Sequence, residues 1–237
     1  MLHLFIFLSV ISCQLFNNSR FGNDYIINQT KFNEETSSHQ ENKYKYKNLH
    51  ISSTSCETDV TFTFDSATLT ISGSGDICNY SQANAVPWYE NAKSIINIII
   101  NDGITSIGSY SFSNLKNLVT ISISQSVSTF GSYAFSGCSS LSSIQIPTSL
   151  LTIGNNCFRE SGIQTIIIPE NISIIKKYLF YSCQKLNSIS FHGQITSIKT
   201  YAFYGCISLT SIELPASVSF IDKFSNSPIS VIYVTYI

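Results

Sequence analysis

The chain of 237 residues is long enough to bury a sizeable core, and 43% of its residues are apolar while only 11% are charged. An average soluble domain has about 25% charged residues, so Ser, Thr and Asn must supply most of the polar surface here. The net charge of -1, with Lys and Arg scattered along the chain, excludes the basic patch that nucleic-acid binding requires.

The chain opens with an apolar run, Leu2–Ile11, which Ser12 ends. A membrane-spanning helix needs about 20 apolar residues, whereas the core of a signal peptide needs about 7–15. We therefore predict that residues 1–16 are a signal peptide, although His3 stands where a basic residue is usual; the alternative is a buried N-terminal strand. The prediction places the mature protein on the cell surface or outside the cell, without a membrane span.

Residues 17–55 are rich in Asn, Ser, Lys, Gln and Glu, and we find no sustained hydrophobic period in them. Such a segment buries too little apolar surface to offset the entropy of ordering its backbone, so we predict a disordered polar linker.

Residues 56–93 are predicted to form an N-terminal β cap. Val60, Phe62 and Phe64 alternate on one predicted strand, and Leu69 and Ile71 alternate on the next. Two cysteines bracket this hairpin, and in an exported protein they are candidates for a disulfide. These are Cys56 and Cys78.

The remaining residues, 94–237, repeat one phrase, which is nearly identical in "YAFSGCSSL" and "YAFYGCISL". Five phenylalanines mark a spacing of 23 residues, shortened once to 22: Phe112, Phe135, Phe158, Phe180 and Phe203. Each is followed by a strand-like alternation, as in Ile144 and Ile146, and a period of 20–29 residues with this apolar core is typical of leucine-rich repeats. We predict a β-rich solenoid of the α/β type, a right-handed stack of about six coils of 22–23 residues in which each Phe fills an equivalent core position.

The phrase I-G-x-x-A-F-x-x-C-x-x-L-x-x-I-x-I-P-x-x-V resembles the BspA-type leucine-rich repeat. The preceding stretch resembles the N-terminal unit of the same family at Leu69–Gly75, Pro87–Trp88 and Ile100–Gly108, so that the resemblance covers about 180 residues. It implies a surface or secreted protein that binds other proteins, with adhesins of host-associated microbes among its relatives. It does not imply an enzymatic activity, because one fold serves many functions.

Three cysteines follow their phenylalanines by three residues: Cys138, Cys183 and Cys206. Sulfurs in line at coil spacing cannot form the tetrahedral shell of a metal site, so we interpret them as small buried residues. His192 has neither a nucleophile nor an orienting partner near it in the sequence, as a general base would need, and we predict an exposed turn residue. We expect no enzyme, no metal and no cofactor.

Tyrosines supply the candidate binding residues, because Tyr is enriched at recognition surfaces. Four stand two residues before the repeat phenylalanines, with Asn156 in the third copy, and two directly follow a phenylalanine. They are Tyr110, Tyr133, Tyr178, Tyr201, Tyr181 and Tyr204. The alternative is that they only pack on neighbouring coils.

Candidate N-glycosylation sites are Asn79 and Asn171, each in an acceptor triplet. The predicted function is a non-enzymatic secreted or surface module that recognises a protein partner, such as a host or extracellular-matrix protein. The alternatives are a glycan-binding module, or a scaffold or truncated relative with no ligand of its own.

Overall fold

The computed structural model describes residues 44–47, 59–222, 229 and 231–235; the predicted signal peptide and Cys56 lie outside them. In this part of the chain there are sixteen strands, two short 3-10 helices (Ala83–Ala85 and Tyr89–Asn91) and no α-helix. The strands are β1 (Tyr44–Lys47), β2 (Thr61–Asp65), β3 (Thr68–Ser72), β4 (Gly75–Asp76), β5 (Asn97–Ile100), β6 (Ile104–Ile107), β7 (Thr120–Ile123), β8 (Thr129–Phe130), β9 (Thr152–Ile153), β10 (Thr165–Ile168), β11 (Ile174–Ile175), β12 (Ser188–Phe191), β13 (Ser197–Ile198), β14 (Ser211–Pro215), β15 (Phe220–Ile221) and β16 (Val231–Thr235).

The repeats form the predicted solenoid. We number coils 1 to 5 by the phenylalanine with which each begins: Phe112, Phe135, Phe158, Phe180 and Phe203. The strands β5 and β6 belong to the partial coil that precedes coil 1. Parallel pairing joins equivalent residues of successive coils, as in Ile98 with Ile121 and Ile166 with Ile189. The longer strands β5, β7, β10, β12, β14 and β16 form one side, which we call the strand face, and the short strands form a second ladder.

A continuous aromatic column runs through the core. All five repeat phenylalanines are at most 1% exposed. Successive rings stack with centroids 5.5–5.7 Å apart and interplanar angles of at most 29°. Trp88 begins the column on Phe112, at 5.6 Å. The prediction that each phenylalanine fills the same core position is confirmed.

The N-terminal hairpin closes the first coil, as predicted. β2 and β3 are antiparallel, and β3 pairs in parallel with β5, which places Leu69 beside Ile98. Trp88 is buried and donates its indole N–H to the backbone oxygen of Ser111 at 3.0 Å. Because the hairpin continues the sheet and Trp88 continues the aromatic column, the apolar N-terminal end of the solenoid is covered.

One short stretch within residues 17–55 differs from the linker prediction. Residues Tyr44–Lys47 form β1, antiparallel to β2, with Tyr46 opposite Phe62. The sequence here is YKYK, a two-residue alternation too brief to stand out in a polar segment. The other residues of the predicted linker lie outside the described part.

The two ladders break where coil 2 meets coil 3. No strand forms at Ser143–Ile146, although its sequence SIQIP is nearly that of β14, SIELP. The second ladder also stops there, because β9 pairs with β8 but not with β11. The opposite side stays joined: Tyr133, Phe135 and Gly137 donate backbone N–H groups to coil 3 at 2.7–3.1 Å. Between coils 2 and 3 the backbone ladders are therefore interrupted on both strand sides, and the turns beside the phenylalanines hold the coils together.

Candidate functional site

Four of the candidate tyrosines form one cluster, the tyrosine block: Tyr178, Tyr181, Tyr201 and Tyr204. Tyr181 stacks on Tyr204 with centroids 4.8 Å apart and planes 8° apart, and Tyr178 stacks on Tyr201 at 5.6 Å. Edge contacts join the two stacks at 5.6–5.7 Å. All four side chains are half-buried, so the block offers one aromatic surface that spans two coils.

The backbone places the first tyrosine of each coil in an unusual conformation. Tyr110, Tyr133, Asn156, Tyr178 and Tyr201 share φ values of 56–61°, the left-handed region that costs a bulky residue about 1–2 kcal/mol. In coils 1 to 4 this residue donates its N–H to the next coil, as Tyr133 does to the oxygen of Asn155 at 3.1 Å. Ring stacking, worth about 0.5–1.5 kcal/mol per pair, offsets part of the backbone strain.

Asn156 divides the tyrosines into two groups. Tyr110 and Tyr133 stack at 4.7 Å on one side of it, where burial and the neighbouring Tyr133 raise the pKa of Tyr110. Asn156 is only 6% exposed, and its Oδ1 is buried without a hydrogen-bond partner among the described residues. Asn is several-fold enriched at positive φ, which suits the conformation of this position. The six candidate tyrosines are therefore a pair and a block rather than one continuous row.

Tyr181 is enclosed on both of its faces. Tyr204 covers one face of Tyr181, and on the side of the preceding coil the Arg159 guanidinium lies 4.5 Å from the Tyr181 centroid. Arg159 is itself held by an ion pair of 2.9 Å with Glu160. Both faces of Tyr181 are therefore covered, and its edge and hydroxyl remain.

A groove opens on the strand face between coils 2 and 3, and the sequence did not predict it. It has a volume of about 400 Å³, and we call it the strand-face groove. Its lining residues are Ser143, Ile144, Gln145, Ile146, Thr148, Thr165, Ile166, Ile167, Pro169, Glu170 and His192. His192 is exposed, as predicted, but it lines this groove. The one sequence signal for the groove is the 22-residue spacing from Phe158 to Phe180.

The repeat cysteines are buried hydrogen-bond donors. Cys138, Cys183 and Cys206 donate their thiols to the backbone oxygens of Phe112, Phe158 and Phe180, with S···O distances of 2.9–3.1 Å. Burial raises the pKa of Cys138 to about 12 and that of Cys183 to about 11. A thiol that keeps its proton can go on donating, so these residues serve the core. Among the described residues, no three His, Cys, Asp or Glu side chains gather as metal ligands would.

The predicted modification sites lie at the surface. Asn79 is exposed and its Oδ1 accepts the N–H of Ser109 at 2.7 Å, while Asn171 donates its Nδ2 to the oxygen of Thr148 at 2.9 Å. Cys78 is disulfide-bonded. Its predicted partner, Cys56, lies outside the described residues.

The sequence profile for the BspA type leucine-rich repeat region matches residues 87–192 and 152–235, with six copies of the repeat. Together these ranges cover more than half of the chain. The chain belongs to the BspA-type leucine-rich repeat family. No curated protein matches this BspA-type chain.

Solved structures share the fold of this BspA-type chain. A leucine-rich repeat protein from Bacteroides ovatus is 24% identical with a TM-score of 0.59, over 73% of this chain and 51% of that one. A leucine-rich cell surface protein from Faecalibacterium prausnitzii is 25% identical with a TM-score of 0.58, over 74% and 52%. A leucine-rich repeat protein from Eubacterium ventriosum is 23% identical with a TM-score of 0.54, over 76% and 42%. The chain thus spans about half the length of these proteins.

The arrangement is suited to contact rather than to chemistry. Repeat proteins of this family are generally scaffolds for binding, and the surface features described here are a half-buried tyrosine block and a groove lined mostly by neutral side chains. In the described part of the chain no helix has the length and apolar character needed to cross a bilayer.

Proposed function

We propose that this chain is a non-enzymatic binding module of the cell surface or the extracellular space, which recognises a protein partner through the tyrosine block. The observation that supports the proposal is the block itself, four half-buried tyrosines that stack across coils 4 and 5. Stacking fixes the rings before binding, so little side-chain entropy is lost on contact. Tyr is also among the residues that dominate binding energy at protein interfaces.

Protein recognition fits the block better than glycan recognition does. Sugar rings bind aromatic side chains by lying on open ring faces, but here Arg159 and Tyr204 cover both faces of Tyr181. The edge and hydroxyl of Tyr181 remain, and these suit hydrogen bonds and apolar contacts with a protein surface. The few charged residues make binding depend on shape and hydrogen bonding rather than on long-range electrostatic steering.

The test compares purified extracellular-matrix proteins with a glycan array, using the chain without residues 1–16. We expect a matrix protein to bind, and Tyr178→Ser combined with Tyr204→Ser to weaken binding about thirtyfold, since interface hot spots contribute about 2 kcal/mol. The matched control is Tyr89→Ser, because Tyr89 lies in the cap and is 49% exposed.

Two results would contradict the proposal. If the double variant bound its protein as tightly as the wild-type chain at an unchanged melting temperature, the tyrosine block would not be the contact. Binding to glycans alone, or to neither class, would overturn recognition of a protein.

A further inference from the structure

We propose that the strand-face groove binds an extended peptide segment of a protein partner, whose backbone pairs with Ser143–Ile146 and whose basic side chain lies at Glu170. The site is separate from the tyrosine block and shares no residue with it. The inference rests on the proposed function only in that both ligands are proteins.

The first argument is the unpaired backbone. On the strand face, β5 pairs with β7 and β10 pairs with β12 along their whole length. Ser143, Ile144, Gln145 and Ile146 lie between these sheets, yet their backbone N–H and C=O groups form no hydrogen bond within the described part of the chain. Unpaired groups of an extended segment form a template for another strand, and many domains bind peptides in this way.

The second argument is the shortened turn that precedes β10. Coil 3 lacks one residue between Phe158 and Ile166, and Gly162 occupies the shortened turn. A side chain at Gly162 would place its Cβ 2.2 Å from the oxygen of Ser139, and its N–H bonds to the oxygen of Cys138 at 3.0 Å. The turn is therefore closed tightly against coil 2. This shortened turn leads directly into β10, whose residues line the groove.

The third argument is the chemistry of the lining, which determines the kind of peptide. Ile167 is 53% exposed beside neutral hydroxyl and amide side chains, so apolar and β-branched residues fit along the groove. Glu170 is exposed, and no described Lys or Arg lies within 4 Å of its carboxylate. No Lys or Arg lines the groove, so a partner with a lysine or arginine supplies the complementary charge.

The test begins with a phage-displayed library of random nonapeptides, selected on the chain without residues 1–16. We expect enrichment of peptides that alternate β-branched residues and carry a lysine or arginine. Ile167→Lys should abolish the enrichment, whereas Ile99→Lys, at the equivalent outward position of β5 and 39% exposed, should leave it intact. Glu170→Gln should weaken binding of the selected peptide about two- to fivefold, and Glu213→Gln should not.

Two further measurements address the backbone contact. In the free chain the amides of residues 143–146 should exchange at least about tenfold faster than those of residues 166–168, and the selected peptide should slow them. N-methylation of the peptide residues whose N–H groups point toward Ser143–Ile146 should lower the affinity about tenfold. N-methylation of the alternate residues, whose N–H groups point away, should leave the affinity unchanged.

Any one of three results would overturn the inference. These are equal selection by the wild-type and Ile167→Lys chains, amides of residues 143–146 already protected in the free chain, or peptide binding that protects other residues. Tyr178→Ser with Tyr204→Ser should leave peptide affinity unchanged, so that a failure of the groove and a failure of the tyrosine block are distinguished.

Discussion

Each repeat cysteine connects two coils through one hydrogen bond. Cys138 donates its thiol to the oxygen of Phe112, one coil earlier, and Cys183 and Cys206 repeat the contact. Ser161 occupies the same register in coil 3 and is equally buried, with its hydroxyl 3.4 Å from the sulfur of Cys183. Leu115 fills this register in coil 1 and is also buried, so the position requires a buried side chain but not a sulfur.

The buried thiols make stability sensitive to alkaline pH. In the unfolded chain a thiol has a pKa of about 9, while burial raises the pKa of Cys138 to about 12 and that of Cys183 to about 11. Between these values the unfolded chain releases protons that the folded chain retains. We expect the free energy of unfolding to decrease as pH rises above about 9, by up to about 1.4 kcal/mol per pH unit for each thiol, until the folded pKa is passed.

Urea unfolding at pH 8, 9 and 10 checks this expectation. Cys138→Ser keeps a donor but does not titrate in this range, so its stability should decrease less steeply than that of the wild-type chain. A parallel decrease in the two proteins would show that Cys138 does not contribute.

Among the elements, the cap hairpin contains a turn that its residues fit poorly. β2 and β3 pair up to Asp65 and Thr68, which leaves Ser66 and Ala67 as a two-residue turn with φ values of 45° and 72°. Two positive φ values define a type I′ turn, which favours Asn and Gly. The sequence predicted the hairpin, but not how a turn without glycine would be accommodated.

Ala67→Gly should therefore stabilise the protein by about 0.5–1 kcal/mol, because glycine adopts positive φ without steric cost. Thermal unfolding measures the gain, and Ala202→Gly, at a buried position that the turn does not involve, should destabilise. A lower melting temperature for Ala67→Gly would mean that the side chain of Ala67 contributes more by packing than its backbone loses by strain.

The strands also show how far local sequence determines pairing. The alternation of apolar and polar residues correctly predicted that the side chains of Ile144 and Ile146 face inward. It could not predict that Ser143–Ile146 would remain unpaired, since the same pattern forms β14 in SIELP. Pairing depends on where the neighbouring coils lie, which an alternation within one coil does not contain. The tyrosine register and its interruption at Asn156 were readable in the sequence, whereas the contact of Arg159 with Tyr181 depends on the fold.

At the scale of the whole molecule, coils 2 and 3 are joined mainly by the core and the far side. Phe158 stacks on Phe135 at 5.6 Å and meets Phe130 edge-on at 6.4 Å. Both ladders are interrupted at this boundary, whereas they pair at most others. In a solenoid, cooperativity depends on the interfaces between neighbouring coils, so this boundary is the one where the phenyl column matters most.

We expect Phe158→Ala to divide unfolding into two transitions in urea, one for the coils on each side of the boundary. Phe180→Ala, which removes the same group beside a paired ladder, should destabilise by about 3–5 kcal/mol and keep a single transition. Fluorescence of Trp88, before the boundary, and circular dichroism of the whole chain would then give different midpoints only for Phe158→Ala. Coincident midpoints in both variants would show that the remaining contacts suffice.

The single shortened coil has an evolutionary consequence. Coil 3 is one residue shorter than its neighbours, yet Phe158 stacks in register with Phe135 and Phe180. The phenyl column therefore tolerates a change in turn length that the ladders of this boundary do not accompany with pairing. A repeat built in this way can change length in its turns while its core stays continuous.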